Sequence, residues 1–376
     1  MKFRKLFSVL LVILGALSLG LFNQCKPDKK STPCSPFQAT PYSLVIPTGF
    51  PDPFIPADNP MSVEGINLGR HLFYEKQFSS DNSLSCGSCH LQDFGFSDIP
   101  INATSKGVSG IEGRRNSMPI FNLAWGEFFF WDGRTSSLEE QSLHPIKDPI
   151  ELENTLEVVI TRLKADTLYP PLFKAAFGSE EIDEDRIAKA LAQFERTIIS
   201  AYSRFDTIER LKIGTYTASE ERGHEMFTRD VTKGGLIGGD CFHCHGINDT
   251  RYLLGAFGKD NQFLNNGLNE THSDIGRMEV TLSPSDEGKF KVPSARNLEF
   301  TRPYMHDGSI PTLDSLIEFY NQGGHPNSPN IDPNMKFAGA GRNWTGQQKA
   351  DLKAFLQTMT DYTLISNPDF SDPFNP

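Results

Sequence analysis

Two pentads of this chain carry the same chemistry, Cys86-Gly87-Ser88-Cys89-His90 and Cys241-Phe242-His243-Cys244-His245. Cys-x-x-Cys-His is the attachment spacing of a c-type haem. The two thiols add to the vinyl groups, and the adjoining histidine is then held close enough to bind the iron as proximal ligand. Cys86, Cys89, Cys241 and Cys244 are therefore expected to anchor two covalent haems c, with His90 and His245 on the irons. One copy could be accidental; two in one chain are specific. The open question is what two irons do together.

The elements that must hold them read as helices. The chain has 376 residues, enough for two domains. Asp185 to Tyr202 places Ile187, Leu191, Phe194 and Ile198 on one face, and Gln347 to Thr360 does the same with Leu352, Phe355, Leu356 and Met359. Alternating strand patterns are scarce, and long stretches rich in Gly, Asn and Pro intervene, such as Asp98 to Asn116 and Asn261 to Arg277. A haem replaces much of the apolar core in a cytochrome domain, so irregular loops around it are expected. Each motif also follows a segment with a similar ending, Gly69-Arg70-His71-Leu72-Phe73 and Gly223-His224-Glu225-Met226-Phe227. This reads as a duplication. The expected fold is mainly α, with two tandem cytochrome c-like haem domains at residues 61–212 and 213–376 and a C-terminal tail on the second.

Lys2, Arg4 and Lys5 precede an almost wholly apolar run from Leu6 to Phe22, so residues 1–24 read as an export signal. The run is just short of a comfortable spanning helix. Cys25 stands where a bacterial lipoprotein is lipidated, although Phe22-Asn23-Gln24 is bulkier than the usual small-residue site. Alternatively Cys25 and Cys34 pair as a disulfide, which an exported chain permits. Residues 25–60 are rich in Pro, Ser and Asp and read as a tether and lead-in rather than a core element. Covalent haem attachment takes place outside the bacterial cytoplasm, so both signals place the chain on the periplasmic side. Net charge is −11 with no basic block, which excludes nucleic acid as a partner.

The segments between the haem motifs separate an enzyme from a carrier. Arg115-Asn116-Ser117-Met118-Pro119, Phe130-Trp131-Asp132-Gly133-Arg134, Ser137-Leu138-Glu139-Glu140-Gln141 and Asp148-Pro149-Ile150-Glu151 resemble the middle of bacterial di-haem cytochrome c peroxidases. So do Asp274-Ile275-Gly276-Arg277, Phe290-Lys291-Val292-Pro293-Ser294-Ala295-Arg296-Asn297 and Pro303-Tyr304-Met305-His306-Asp307-Gly308. The resemblance runs from about Gly65 to Asp361 in the family's order. That family includes MauG-type enzymes, which oxidise residues of another protein. The resemblance implies that His90 serves the peroxide-reacting haem and that Glu151 and Gln141 line its distal side. It implies Trp131 as the electron path and His245 on the electron-transfer haem. A calcium ion between the haems would take the Asn116 side chain and the Thr301 and Pro303 carbonyls, an all-oxygen set that suits calcium.

Two positions depart from the family's ordinary members. They place a capping histidine in the loop after the first haem; here no histidine occurs between His90 and Trp131. They place methionine over the second iron; counting along the chain puts Tyr320 there, as in MauG-type enzymes, with Met305, Met278 and His325 as other candidates. Taken alone, Trp131 in its aromatic run and Tyr320 in its helical pattern would be core residues, and Glu151 a solvated one. His306 is expected near the calcium or the propionates, and His243 in solvent. The expected reaction is hydrogen peroxide reduction to water, with electrons from a small redox protein (cytochrome c or cupredoxin) routed through the second haem. The alternatives are a MauG-type oxidase of a partner protein's side chains and a non-enzymatic di-haem electron carrier. Family members are commonly dimers, which makes a homodimer an expectation.

Overall fold

The computed structural model describes residues 37–230, 238–245 and 263–375, and almost all of them belong to one compact unit that starts at Ala39. The export signal, Cys25 and Cys34 lie outside the described residues. No described helix is long and apolar enough to cross a membrane.

Thirteen described helices succeed one another: α1 Val63–Tyr74, α2 Cys86–Cys89, α3 Leu138–Lys147, α4 Leu156–Ala165, α5 Tyr169–Phe177, α6 Glu184–Thr197, α7 Arg204–Glu209, α8 Ala218–Thr228, α9 Phe242–His245, α10 Met278–Thr281, α11 Leu313–Gln322, α12 Gly346–Gln357 and α13 Tyr362–Ser366. The only described strands are β1 Phe263–Leu264 and β2 Phe290–Lys291, an antiparallel pair. The fold is mainly α, as the helical periodicity predicts.

Two crossings organise it. α1 packs on α6, and α8 packs on α12. At each crossing a glycine lets backbones meet: a Cβ on Gly69 would lie 1.9 Å from the Ala190 carbonyl oxygen, and one on Gly223 would lie 2.0 Å from that of Asp351. These are the glycines of the repeated Gly-x-x-x-Phe segments. The crossings carry separate apolar cores. Leu68, Leu72, Phe73, Leu191 and Phe194 anchor the first, and Met226, Phe227, Leu352, Phe355 and Leu356 the second. Capping is regular: Ser62, Ser137, Thr155 and Asp183 each accept a main-chain N–H at their helix start.

Three differences from the sequence reading have physical causes. α6 ends at Thr197, not near Tyr202. Beyond it, the main-chain N–H groups of Ala201 and Tyr202 donate to the Asp361 carboxylate rather than continuing the helix. The Pro-rich lead-in is docked from Thr40 onward, where the Val63 N–H donates to the Thr40 carbonyl at 3.0 Å. Phe50 packs edge-on against Trp125 at 5.2 Å, and Asn59 is buried between Gln193 and Glu139. Finally, the C-terminal segment returns to the first core. Leu364 and Phe370 pack there, and Tyr74 donates to the Phe370 carbonyl at 2.6 Å.

Candidate active site

Both haem motifs are built alike. Each forms a single helical turn in which the histidine N–H donates to the carbonyl of the first cysteine, at 3.0 Å in both cases. His90 Nδ1 lies 3.0 Å from the Phe96 carbonyl, and His245 Nδ1 lies 3.2 Å from the Pro293 carbonyl. A proton on Nδ1 satisfies these contacts and leaves Nε2 as the free base aimed at a metal. Burial lowers the pKa of both histidines, to about 4 for His245, so both are neutral at neutral pH, as metal ligation requires. Burial pushes all four motif thiols upward. That is the reverse of a reactive or zinc-binding thiolate site and agrees with thioether anchors.

Each motif opens on a large cavity, about 1360 Å³ at the first and about 1540 Å³ at the second, mouths included. The linings suit haems. In the second cavity Arg342 Nη1 and Trp344 Nε1 are buried donors with no hydrogen-bond partner among the described residues, where propionates could accept. In the first cavity Glu195 leaves Oε2 without a partner, a polar group that a ligand could satisfy.

The first cavity brings together His90, Gln141, Glu151, Arg134 and Trp131. α3 carries Gln141 on its inner face, and Pro145 in the same helix also lines the cavity. Glu151 sits in the turn after α3, where its N–H donates to the Asp148 carbonyl at 3.1 Å. Burial, then the nearby Asp148 charge, raises its pKa to about 7, against the pull of Arg134. The loop that lacks a histidine closes on the Glu151 backbone. Val108 N–H donates to the Glu151 carbonyl at 2.9 Å, and a Cβ on Gly107 would lie 2.2 Å from the Ile150 carbonyl oxygen.

Trp131 lines both cavities. Its Nε1 donates to the Asn116 carbonyl at 2.8 Å. The turn that presents it is braced from outside: Asp132 pairs with Arg115, which also clasps Asp274, and Arg277 donates to the carbonyls of Asp132 and Gly133.

Tyr320, on α11, faces the second cavity together with Met305, and Asn266 Nδ2 lies 3.3 Å from both Tyr320 Oη and Met305 Sδ. Burial pushes the Tyr320 phenol up to about 12. Met278 and His325 do not line the cavity. Asn116, Thr301 and Pro303 all line this cavity, and Asn116 Nδ2 is committed to the Ala103 carbonyl at 2.9 Å. His306 lines the same cavity and stacks on Phe290 at 3.7 Å.

The family model of the di-haem cytochrome c peroxidases matches residues 63–212. The chain is 35% identical over 308 residues to the methylamine utilization protein MauG of Methylorubrum extorquens, covering 81% of this chain and 80% of that protein. This chain belongs to the di-haem cytochrome c peroxidase and MauG family. It is an oxidoreductase whose cofactors are two haems c. It is also 30% identical over 356 residues to the cytochrome-c peroxidase IdrP1 of Denitromonas iodatirespirans, covering 86% and 89% of the two chains. Among solved structures it is similar to a MauG-like protein associated with microbial copper homeostasis, with a TM-score of 0.74 and 34% identity over 89% of this chain and 99% of that one.

Several residues of this family site carry no sequence signal. Glu195 reads as the polar side of α6 but is buried in the first cavity wall. Lys291 was legible only as a letter of the Phe-Lys-Val-Pro segment, yet it lines both cavities. His243, expected in solvent, instead meets the buried Asp240 carboxylate, because α9 turns it back toward the residue before Cys241.

Proposed function

We propose that the first cavity reduces hydrogen peroxide to two waters, consuming two electrons and two protons, and that the electrons arrive through Trp131 from the second. Bound there, the haem iron supplies the centre at which the oxygen–oxygen bond is cleaved. Glu151 takes a proton from the inner peroxide oxygen and returns it to the outer one, which leaves as water. Its pKa near 7 suits both halves of that task. Gln141 would donate a hydrogen bond to peroxide in this cavity, and His90, fixed by the Phe96 carbonyl, would hold the haem iron. The carrying observation is an asymmetry: the first cavity has the Glu151 carboxyl in its wall and no histidine in the loop that closes on Glu151, while the second is lined by a tyrosine phenol. Carriers saturate both axial positions, so this asymmetry disfavours a carrier.

Tyr320 and the histidine-free loop also support a second reading, a MauG-type oxidase whose electrons come from side chains of a partner protein. Mixing peroxide with the diferric protein tests both. Rapid two-equivalent oxidation without prior reduction supports the MauG-type branch; reaction only after one-electron reduction supports an ordinary peroxidase. No reaction in either state overturns the peroxide reading.

The same proposal includes calcium at Asn116, Thr301 and Pro303, two haem domains dividing near residue 212, and export. A lipid on Cys25, a homodimer and a small cytochrome or cupredoxin donor complete it.

A further inference from the structure

Lys291 occupies the wall that separates the two cavities. Together with Asn116, Pro119 and Trp131 it lines both. β2 places it there: its main-chain N–H donates to the Trp131 carbonyl at 2.8 Å. Its ammonium donates to the Phe128 carbonyl at 2.6 Å and lies 5.5 Å from the Phe129 ring centre. Burial alone lowers its pKa to about 8, and no carboxylate among the described residues pairs with it.

The charged groups that brace the Trp131 turn are engaged with one another or with its backbone. On the Trp131 turn, Asp132 is held by Arg115 and Arg134, and Arg115 also holds Asp274. Arg277 is bound to main-chain carbonyls of the same turn. On the cavity sides stand Lys106, Glu151 and Glu195 in the first, and Asp240, His306, Asp332 and Arg342 in the second. Of these, Asp240 is paired with Lys336.

We propose that Lys291 is a positioning residue for the redox chemistry, a cation in the shared wall that raises the reduction potential of both haems and disfavours a hole on Trp131. The reason is Coulombic. An added electron makes either haem less positive, so a nearby cation stabilises the reduced form, and a wall with a haem on each side would screen that interaction less than bulk water does. A cation bordering both cavities acts on both haems, whereas an axial ligand acts on one. Loss of its proton lowers both potentials and eases hole transfer across Trp131. The inference rests on haems filling both cavities, not on which reductant the enzyme uses.

Potentials of both haems, measured in the haem-loaded full chain from about pH 6 to about pH 10, test this. The wild type is expected to show a common fall in both potentials as Lys291 loses its proton. Lys291→Met should hold both at the lower level without that step, and Lys291→Arg at the upper level without it. Glu151 and Glu195 titrate across this range in all three proteins, so their contributions cancel in the comparison. Lys291→Gln is a second uncharged variant if Met impairs folding, and unchanged haem content and spectra show intact cavities. Unchanged potentials in the uncharged variants, or a shift in one haem only, overturn the proposal. Trp131→Phe separates it from the electron-path reading: slower exchange between the haems at unaltered potentials supports the path, and unaltered exchange removes the path while leaving the Lys291 result standing.

Discussion

Glu139 and Glu151 are both carboxylates near α3, and their surroundings give them opposite characters. Glu139 is partly buried, but the Arg196 guanidinium at 2.8 Å holds its pKa below the usual carboxylate range. Glu151 has Asp148 rather than a bound guanidinium beside it, and its pKa rises to about 7. Peroxide reaction should therefore accelerate as pH rises through about 7, because the first step needs the ionised base. Glu151→Gln should slow that reaction by roughly 10²–10⁴-fold and abolish the rising limb, with haem content unchanged. Stopped-flow rates against pH decide this, and a retained limb removes Glu151 from the mechanism. At the second cavity, Tyr320→Met should alter the spectrum of one haem only and raise its potential, since methionine ligation does so. An unchanged spectrum would rule Tyr320 out as a ligand.

At the scale of elements, the two helix crossings bear the haem motifs, and each depends on a missing side chain. Gly69→Ala adds up to about 1 kcal/mol of helix propensity. The new Cβ would still press on the Ala190 carbonyl, which must move. Overpacking of this kind costs about 1–3 kcal/mol, so a lower Tm and a perturbed first haem are expected. Unchanged thermal unfolding and spectra would show that the crossing opens freely. α6 also buries Glu195, whose pKa burial raises to about 8. A carboxyl whose pKa is higher folded than unfolded contributes stability below its unfolded pKa, near 4.5, and loses it as pH rises toward about 8. Glu195→Gln should thus raise Tm relative to wild type above about pH 8 and have little effect near pH 4. Equal differences at both pH values would show that Glu195 is not the titrating group.

Across the whole molecule, the shared wall needs the two cores held in register. Buried polar contacts tie the segment that follows α6 to the second half of the chain. Arg296 pairs with Asp206, both about 1% exposed, and Asn297 and Asp361 bind the backbone and hydroxyl of Ser200 to Tyr202. Asp206→Ala leaves a buried guanidinium without its carboxylate, which costs about 3–5 kcal/mol. Denaturant unfolding measures the loss, and slower exchange between the haems would show that register was lost as well. A stability change under about 1 kcal/mol would mean that water or another group replaces Asp206.

The local chemistry is legible in the residues themselves. Cys-x-x-Cys-His needs one helical turn and nothing distant, so its role is legible from spacing. The repeated glycine segments announced two equivalent helix crossings, and helical periodicity announced the mainly α fold. Glu151, Trp131 and Tyr320 were legible only through their resemblance to a family, because nothing in an isolated glutamate, tryptophan or tyrosine distinguishes a cavity from a surface or a core. The tertiary structure alone decided what depends on juxtaposition. It returned the C-terminal segment to the first core and docked the Pro-rich lead-in from Thr40. It also set Lys291 and Trp131 in one wall between two cavities. Burial and shared boundaries are sums over residues far apart in the chain, and it is burial in such a boundary that turns an ordinary lysine into a candidate control on two haems.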